Sequence, residues 1–467
     1  MTGKVTRENC RLVLGLEIHL HLRTDRKMFC GCSADVWDKE SNSITCPVCL
    51  GLPGALPVPN EDAVKKTQLL GLALGCELNK NSRFDRKHYF YPDLPKGYQI
   101  SQYKQPLCLG GSVKLDSGFI ADIERIHLEE DVAKSFHEKN RTLLDFNKSG
   151  MPLVEIVTKP VFTDVKDAVD FCKKIQQMVR FLDIGDVDME KGQMRLEANI
   201  SLRTKEMEDK NELSTYKVEV KNINSFRFME KAVLAEIDRQ LEIFENGEVP
   251  IQENRGFDEI RGKTVPQRTK EDAKDYRYFP EPDVPPMVFS DEYIEELKKQ
   301  IPELPHEIKE RLVKDYGIRM SDATTLLDVM GVSFVEKFEK TVSKGGDAKK
   351  VVNALINRTE THEMSEDEII LFVSDVKDSI GEEELSEIVQ KIIDSYPKAV
   401  EDYKGGKENS LQFILGQVMR ETKGKADHGI TLQIIKEKFC LLSSFVSENP
   451  FFPFVLLDTK DIICLTD

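Results

Sequence analysis

The chain has 467 residues, of which 40% are hydrophobic and 32% are charged, with 27 glycines and 20 prolines. This composition excludes collagen-like, low-complexity and wholly disordered chains, and the length suggests about two to four domains. The most apolar stretch, residues 439–457, is interrupted by Glu448, Pro450 and Pro453 and is unsuited to crossing a membrane. Because the first residues also lack the apolar segment of an export signal, we expect a cytoplasmic protein with reduced thiols.

The net charge of −16 is unevenly distributed and does not exclude a nucleic-acid partner. Residues 360–402 contain fourteen acidic and three basic side chains, a local balance of −11. The other 424 residues carry only −5, which leaves room for a basic surface that contacts RNA.

Up to about residue 290 the sequence mixes strand and helix patterns, and five segments alternate between apolar and polar residues. These segments are 12–22, 123–131, 153–158, 195–203 and 217–221. Clean alternation is typical of antiparallel strands with one face on a core and the other facing water or a site. Helices are predicted from the Asp164 cap to Leu182 and from Ser225 to Gly247.

Beyond Pro286 the sequence favours short amphipathic helices, with ends predicted at glycines and starts predicted at capping residues. These residues are Gly317 and Gly331 for the ends, and Ser321, Asp347 and Ser365 for the starts. We therefore expect an α+β body, an all-α middle region and a small α-helical tail.

Four cysteines form the sharpest local motif. Cys30 and Cys32 make a CxC knuckle, and Cys46 and Cys49 make a CxxC knuckle after thirteen intervening residues. Four thiolates from two tight knuckles are typical of a closed, structural Zn²⁺ site. Two alternatives are free thiols in a loop and a redox role for the CxxC pair, which no thioredoxin-like pattern surrounds.

Carboxylates and a histidine recur on the polar faces of the predicted strands: Glu17, His19, Glu129, Glu155 and Glu197. If these strands are neighbours, the side chains converge on one face of the sheet. Oxygen ligands with one imidazole suit Mg²⁺ or Mn²⁺, and Mg²⁺ held by carboxylates commonly binds phosphate oxygens, which points to ATP. The alternative is a set of ordinary solvated strand faces.

Two aromatic-rich segments, residues 85–103 and 275–283, suit the stacking of a base. The first also contains Lys87, and the second contains Arg277 as a candidate anion contact. A tyrosine-rich packing loop fits this composition equally well. No GxxxxGK[ST], GxSxG or HExxH motif is present, so a bound ATP would not lie in a Walker-type loop.

Eight segments occur together in a characteristic order, within residues 12–439: LGLEIHLHLRTDRKMFCGC, CPVCLGLPGALPVPN, DRKHYFYPDLPKGYQISQY, IHLEEDVAKS, KSGMPLVEIV, RLEANISLR, KNINSF and DYRYFPEPD. This set resembles the B subunits of the aspartyl/glutamyl-tRNA(Asn/Gln) amidotransferases. The resemblance implies a ligase of protein biosynthesis that phosphorylates the side-chain carboxylate of mischarged Asp-tRNA or Glu-tRNA with ATP and then amidates it. It also implies a heterotrimer with an amidase, the A subunit, which supplies ammonia from glutamine, and with a small C subunit.

The resemblance implies a cradle domain similar to the glutamine synthetase catalytic domain at residues 1–292. An all-α helical domain at 293–403 and a tRNA-facing tail domain at 404–439 would follow. Residues 440–467 look unlike the family's ending, and either a lineage-specific extension or a shifted reading frame accounts for them. The related archaeal E subunit, with its large inserted domain, fits this length less well.

By motif, the implied Mg²⁺ ligands are Glu17, His19, Glu130, Glu155 and Glu197. Strand periodicity favours Glu129 over Glu130, so both are kept as catalytic candidates. The candidate nucleotide-binding residues are Lys87, Tyr89, Lys221 and Arg277. Some family members lack the four cysteines, so the Zn²⁺ site is expected to be structural.

Two other functions remain open: a non-catalytic, zinc-bearing RNA-binding scaffold, and a free-standing ligase for small acids. Retention of all the acidic residues favours the amidotransferase function. Whether the substrate is Asp-tRNA, Glu-tRNA or both stays open.

Overall fold

The computed structural model describes residues 6–269, 276–375, 382–404, 409–422, 426 and 428–444. The chain divides into two compact units, Met1–Leu312 and Val313–Asp467. Parts of the expected tail (405–408, 423–425 and 427) and residues 445–467 lie outside the described residues. Within the described residues, no helix is long and apolar enough to cross a membrane.

Seventeen strands are described in the first unit: β1 Cys10–His21, β2 Glu77–Leu78, β3 Asn81–Ser82, β4 Asp85–His88, β5 Tyr98–Ser101, β6 Cys108–Leu109, β7 Ser112–Lys114, β8 Ile120–Glu130, β9 Lys134–His137, β10 Thr142–Asp145, β11 Pro152–Thr158, β12 Met194–Thr204, β13 Val218–Ile223, β14 Glu253–Asp258, β15 Lys263–Thr269, β16 Phe279–Pro280 and β17 Met287–Val288.

The described helices are α1 Glu61–Ala73, α2 Val165–Phe181, α3 Lys205–Asp209, α4 Phe226–Glu245, α5 Asp291–Lys298, α6 Pro305–Tyr316, α7 Met320–Thr324, α8 Val332–Ser343, α9 Ala348–Asn357, α10 Glu366–Asp375, α11 Glu382–Ser395, α12 Pro397–Lys404, α13 Asn409–Glu421 and α14 His428–Ser444. Short 3₁₀ turns occupy Phe146–Lys148 and Thr359–His362, and a π-helical turn occupies Thr325–Val329.

A large sheet organises the first unit, in the strand order β15-β14-β13-β12-β1-β11-β8-β6-β2, with β7 paired to β8. All five predicted strands are present in it. The five predicted strands pair with one another in antiparallel fashion, as their alternation indicates. The expectation of an antiparallel sheet is nevertheless corrected to a mixed sheet, because β13 and β14 pair in parallel. Helix α4 connects these two strands, and parallel neighbours require a crossover of this kind.

The two faces of the large sheet differ as the alternation predicts. On β1 the apolar residues Leu14, Leu16, Ile18 and Leu20 are fully buried in the main core. Helices α2 and α4 contribute Phe171, Ile175 and Met229 to the same core. The opposite face, which carries Glu17 and His19, is therefore left for polar groups.

Capping residues set the helix starts as expected in most places. The side chains of Asp164, Ser225 and Asp347 accept backbone N–H groups at the starts of α2, α4 and α9. The prediction for Ser321 is wrong, because α7 already begins at Met320 and Arg319 precedes it without a side-chain cap.

The second unit is helical throughout its described part. Helices α8, α9 and α10 contact one another, and α11, α13 and α14 contact one another. The latter group buries Val389, Ile414, Val418 and Ile435 in a shared apolar cluster.

Candidate active site and cysteine cluster

His19 lies at the centre of the polar face. In the strand pairing it is opposite Glu155 of β11, and Glu155 is in turn opposite His127 of β8. The His19 Nε2 atom is 3.4 Å from Glu155 Oε2 and 3.8 Å from Glu129 Oε1. His127 Nε2 is 3.3 Å from the same Glu155 oxygen. Adjacent strands thus bring two acids and two histidines, distant in sequence, into contact.

This group has the electrostatics of a cation site. Burial would raise the pKa of Glu155, but His127 and His19 hold it well below its usual range. Burial would lower the pKa of His19, but Glu155, Glu197 and Glu129 raise it to about 9. Glu155 is therefore ionised at neutral pH, and His19 carries the balancing proton when no metal is bound.

A second acidic group lies beside the first. Glu17 and Glu197 are opposite one another on β1 and β12, and one carboxylate oxygen from each lies within 4.8 Å of an oxygen of Glu219 on β13. The Lys221 ammonium contacts Glu197 at 2.8 Å and Glu219 at 3.0 Å. Lys221, expected to bind the nucleotide, thus forms ion pairs with two of the three carboxylates, and its contact with a nucleotide stays a prediction. Its pKa is raised, because the two carboxylates outweigh the effect of burial.

The distances around His19 are compatible with one hard divalent cation. Ligand atoms about 2.1 Å from one Mg²⁺ ion are at most about 4.2 Å apart. The distances from His19 to Glu155 and Glu129 satisfy that limit. His19, Glu129 and Glu155 form one donor set, and Glu17, Glu197 and Glu219 form the other.

Glu130 does not join either group. Its carboxylate contacts the Lys96 ammonium at 2.5 Å and accepts the Ile100 N–H at 2.9 Å. Successive residues of a strand point to opposite faces, so Glu129 and Glu130 are separated by the sheet. The geometry therefore favours Glu129, the residue indicated by strand periodicity, as the ligand.

An open cavity of about 410 Å³ adjoins the acids, and Glu17, His127 and Glu155 form part of its lining. Apart from Gln102, the other lining residues are aromatic or cationic: Lys87, Tyr103, Arg125, Tyr276 and Tyr278. The Tyr103 and Tyr278 rings stack with centroids 4.4 Å apart.

Strand pairing brings the two aromatic segments together, because Phe279 of β16 lies opposite Arg86 of β4. Lys87 Nζ is 5.0 Å from the centre of the Tyr276 ring. Burial would lower the pKa of Lys87, but the carboxylates of Glu129 and Glu155 raise it, so the amine stays charged.

The other two expected nucleotide contacts lie near this cavity but outside its lining. The Tyr89 ring meets Tyr276 edge-on at 6.1 Å, and burial raises its pKa. Arg277 is exposed and has a φ of +42° between two cavity tyrosines. An anion-binding role for Arg277 therefore stays a prediction.

The four knuckle cysteines meet as predicted. The Sγ atoms of Cys30, Cys32, Cys46 and Cys49 all lie within 4.8 Å of one another. The Cys46 and Cys49 sulfurs are 3.8 Å apart, which matches the separation of about 3.8 Å expected for Zn–S bonds of about 2.3 Å in a tetrahedral site. Hydrogen bonding from Cys30 lowers the pKa of Cys49 to about 5, in spite of burial.

Lys27 supplies a buried positive charge next to this cluster. Its side chain is almost fully buried, and its ammonium donates to Ile44 O at 2.8 Å and lies 3.8 Å from Cys49 Sγ. Four thiolates and one Zn²⁺ carry a net charge of −2, so a nearby ammonium offsets part of it.

The residues that the sequence did not single out are His127 and Glu219. His127 shares a strand face with Glu129, and Glu219 shares one with Lys221, so alternation was a usable signal for both. What was missing is the order of the strands, which alone shows that β13 lies beside β12.

Comparison with known proteins identifies the family of the chain. Residues 12–295 match the family model of the GatB/GatE catalytic domain, and residues 375–439 match that of the GatB domain. The chain is 40% identical to the aspartyl/glutamyl-tRNA(Asn/Gln) amidotransferase B subunit of Thermoanaerobacter sp. (strain X514) and 41% identical to that of Thermotoga maritima. Each alignment covers 91% of this chain and 98% of the relative. The chain therefore belongs to the family of aspartyl/glutamyl-tRNA(Asn/Gln) amidotransferase B subunits.

Proposed function

We propose that this chain is the subunit of a tRNA-dependent amidotransferase that activates and amidates the acidic side chain of a mischarged tRNA. The substrate is Asp-tRNA, Glu-tRNA or both, and ATP is the phosphoryl donor. The observation that carries this proposal is the pair of acidic groups around His19 and Glu197, beside a cavity that contains Lys87 and stacked tyrosines.

The reaction needs activation because a carboxylate is a poor electrophile. A carboxylate oxygen attacks the γ-phosphorus of ATP, the bond to ADP breaks, and an acyl phosphate forms. Ammonia then attacks the carbonyl carbon, and phosphate leaves with the former carboxylate oxygen. The net reaction is that of a ligase that forms a carbon–nitrogen bond.

The chain's own residues have distinct parts in this scheme. Glu129 and Glu155 with His19, and Glu17 and Glu197 with Glu219, would hold Mg²⁺. When bound, Mg²⁺ supplies neutralisation of the phosphate and carboxylate charges. Lys87 provides a fixed ammonium for a phosphate oxygen, because its neighbours keep it protonated. Tyr103 and Tyr278 offer flat surfaces suited to a base.

The same proposal assigns the remaining parts of the chain. Residues 1–292 would form a cradle domain like the catalytic domain of glutamine synthetase, 293–403 a helical domain and 404–439 a tRNA-facing tail. The four cysteines would hold a structural Zn²⁺. The partners would be the amidase (the A subunit), which releases ammonia from glutamine, and the small C subunit in a cytoplasmic heterotrimer.

A non-catalytic scaffold is not favoured, because the acids are grouped as a cation site requires. Substitution of His19 by alanine and of Glu155 by glutamine tests the proposal. Each variant is expected to lose about 10²-fold or more of the ATP hydrolysis stimulated by mischarged tRNA. Arg11→Ala on the same face of β1 is the matched control. Wild-type turnover in both site variants would contradict the proposal.

A further inference from the structure

Arg195 extends across the polar face of the sheet. It lies opposite His19 in the pairing of β1 with β12, and directly opposed residues share a face. Its Nη2 atom donates to both carboxylate oxygens of Asp131, each at 3.3 Å. Asp131 directly follows β8, and strands β1 and β11 lie between β8 and β12. The guanidinium therefore lies over the strand that carries His19.

Asp131 anchors a cluster of basic side chains. This carboxylate is 3% exposed and contacts Lys148 Nζ at 2.6 Å and His21 Nε2 at 2.6 Å, in addition to Arg195. Two basic side chains, those of Arg195 and Lys148, share this single carboxylate, so Asp131 does not fully pair either of them.

The guanidinium keeps donors for a ligand. The Arg195 side chain is 29% exposed, and within the described part of the chain only its Nη2 atom has a hydrogen-bond partner. A guanidinium has five N–H donors in a planar fork that matches a carboxylate. Its Nε and Nη1 groups are therefore available beside the His19 group.

We propose that Arg195, oriented by Asp131, binds the side-chain carboxylate of the aminoacyl group on the mischarged tRNA. This inference rests on the proposed function and names the acceptor position within the same site. The reaction joins a phosphate to a carboxylate, so it needs two anion-binding positions. Lys87 and Arg125 line the cavity assigned to the nucleotide, whereas Arg195 is not part of that lining and lies by His19 instead.

Binding without turnover tests this assignment. In the absence of ATP, dissociation constants are measured for one tRNA charged with aspartate or with its neutral counterpart asparagine, and likewise for glutamate and glutamine. The wild-type protein is expected to prefer the acidic form. Arg195→Ala is expected to reduce that preference about tenfold or more, because a charge-assisted fork is lost.

Two further variants separate a contact from a structural effect. Arg195→Lys keeps a cation near Asp131 but loses the fork, so an intermediate loss of preference is expected. Arg11→Ala, on the same face of β1 and paired with Glu208 at 3.5 Å, is expected to keep the wild-type preference. Thermal denaturation of each variant checks that the fold is retained, and Arg195→Lys serves as the test if Arg195→Ala does not fold.

Two results would overturn the assignment. The first is an unchanged preference for the acidic form in folded Arg195 variants. The second is weaker binding of ATP by these variants while their preference for the acidic aminoacyl group is unchanged. That result would make Arg195 a phosphate contact. Failure of the proposed function is distinguishable, because the wild type would then show neither the preference nor ATP hydrolysis stimulated by mischarged tRNA.

Discussion

Glu129 and Glu130 are adjacent in the sequence, but their carboxylates lie on opposite faces of one strand and contact different side chains. Glu129 lies in the His19 group, and Glu130 forms a buried ion pair with Lys96. The two positions are therefore expected to respond differently to the same substitution.

Glu129→Gln is expected to lose about 10²-fold or more of the ATP hydrolysis stimulated by mischarged tRNA, because a charged donor of the cation site is removed. Glu130→Gln is expected to retain this phosphorylation step and to unfold more easily. The loss of stability should be about 1–3 kcal/mol, since the Lys96 ammonium loses its charged partner while the amide keeps one hydrogen bond. Steady-state kinetics and urea unfolding of both variants provide the check. A catalytic loss confined to Glu130→Gln would reverse the assignment.

Zinc content is the second prediction. Protein purified under reducing conditions should release about one Zn²⁺ per chain on denaturation in a chromogenic chelator. Cys46→Ser should lower both the zinc content and the stability, whereas Cys10→Ser should change neither, because Cys10 lies outside the knuckles. Metal-free wild-type protein that is fully stable would rule out a structural zinc site.

The Asp131 cluster predicts a pH dependence of stability. Burial would raise the pKa of Asp131, but Lys148 and Arg195 hold it well below its usual range. Because the pKa of Asp131 is lower in the folded than in the unfolded chain, its ionised form stabilises the fold at any pH above the unfolded-state pKa of about 3.9. This stabilisation is lost as the pH falls towards the folded-state pKa. Asp131→Asn should therefore cost about 3–5 kcal/mol near neutral pH, because two cations lose their buried partner.

The measurement uses Trp37, the single tryptophan of the sequence, whose ring centre is 5.8 Å from that of His21. Urea unfolding followed by its fluorescence gives the free energy of unfolding at each pH. The difference between wild type and Asp131→Asn should stay constant from about pH 7 to 5 and shrink below about pH 4. A difference that grows as the pH falls would contradict the assigned pKa direction.

The sequence indicated much of the candidate site because alternation is a local property. Glu17, His19, Glu155 and Glu197 fall on polar strand faces in the sequence pattern, and the structure places them on one face of one sheet. The cysteine spacing likewise indicated a cluster that is present.

The parts of the site that the sequence did not predict depend on contacts between segments far apart in the chain, and the periodicity of one segment carries no information about such contacts. Glu219 completes an acidic group only because β13 pairs with β12, and the parallel β14 follows from the path of α4. The pairing of Phe279 with Arg86 joins strands that are far apart in the chain. Such pairings depend on the packing of the whole domain. The sequence therefore indicated the two aromatic segments but not that they line one cavity.

The source of ammonia gives another prediction. Glutamine hydrolysis needs an activated nucleophile and an oxyanion hole, and no sequence motif of that kind is evident in the chain. The isolated chain should therefore show no glutaminase activity, and addition of the two proposed partners, the amidase and the small C subunit, should permit amidation from glutamine. Ammonium salts should restore amidation when the amidase nucleophile is mutated, but not when His19→Ala is also present. Glutamine hydrolysis by the isolated chain at the rate of amidation would disprove this division of labour.

The most direct test of the central claim follows one oxygen atom. Mischarged tRNA labelled with ¹⁸O in the side-chain carboxylate is incubated with the complete enzyme, ATP and an ammonia source, and the inorganic phosphate is analysed by mass spectrometry. If the carboxylate is phosphorylated and the phosphate then leaves with its oxygen, one ¹⁸O should appear in phosphate for each amide formed. Amide formation accompanied by unlabelled phosphate would contradict activation through an acyl phosphate.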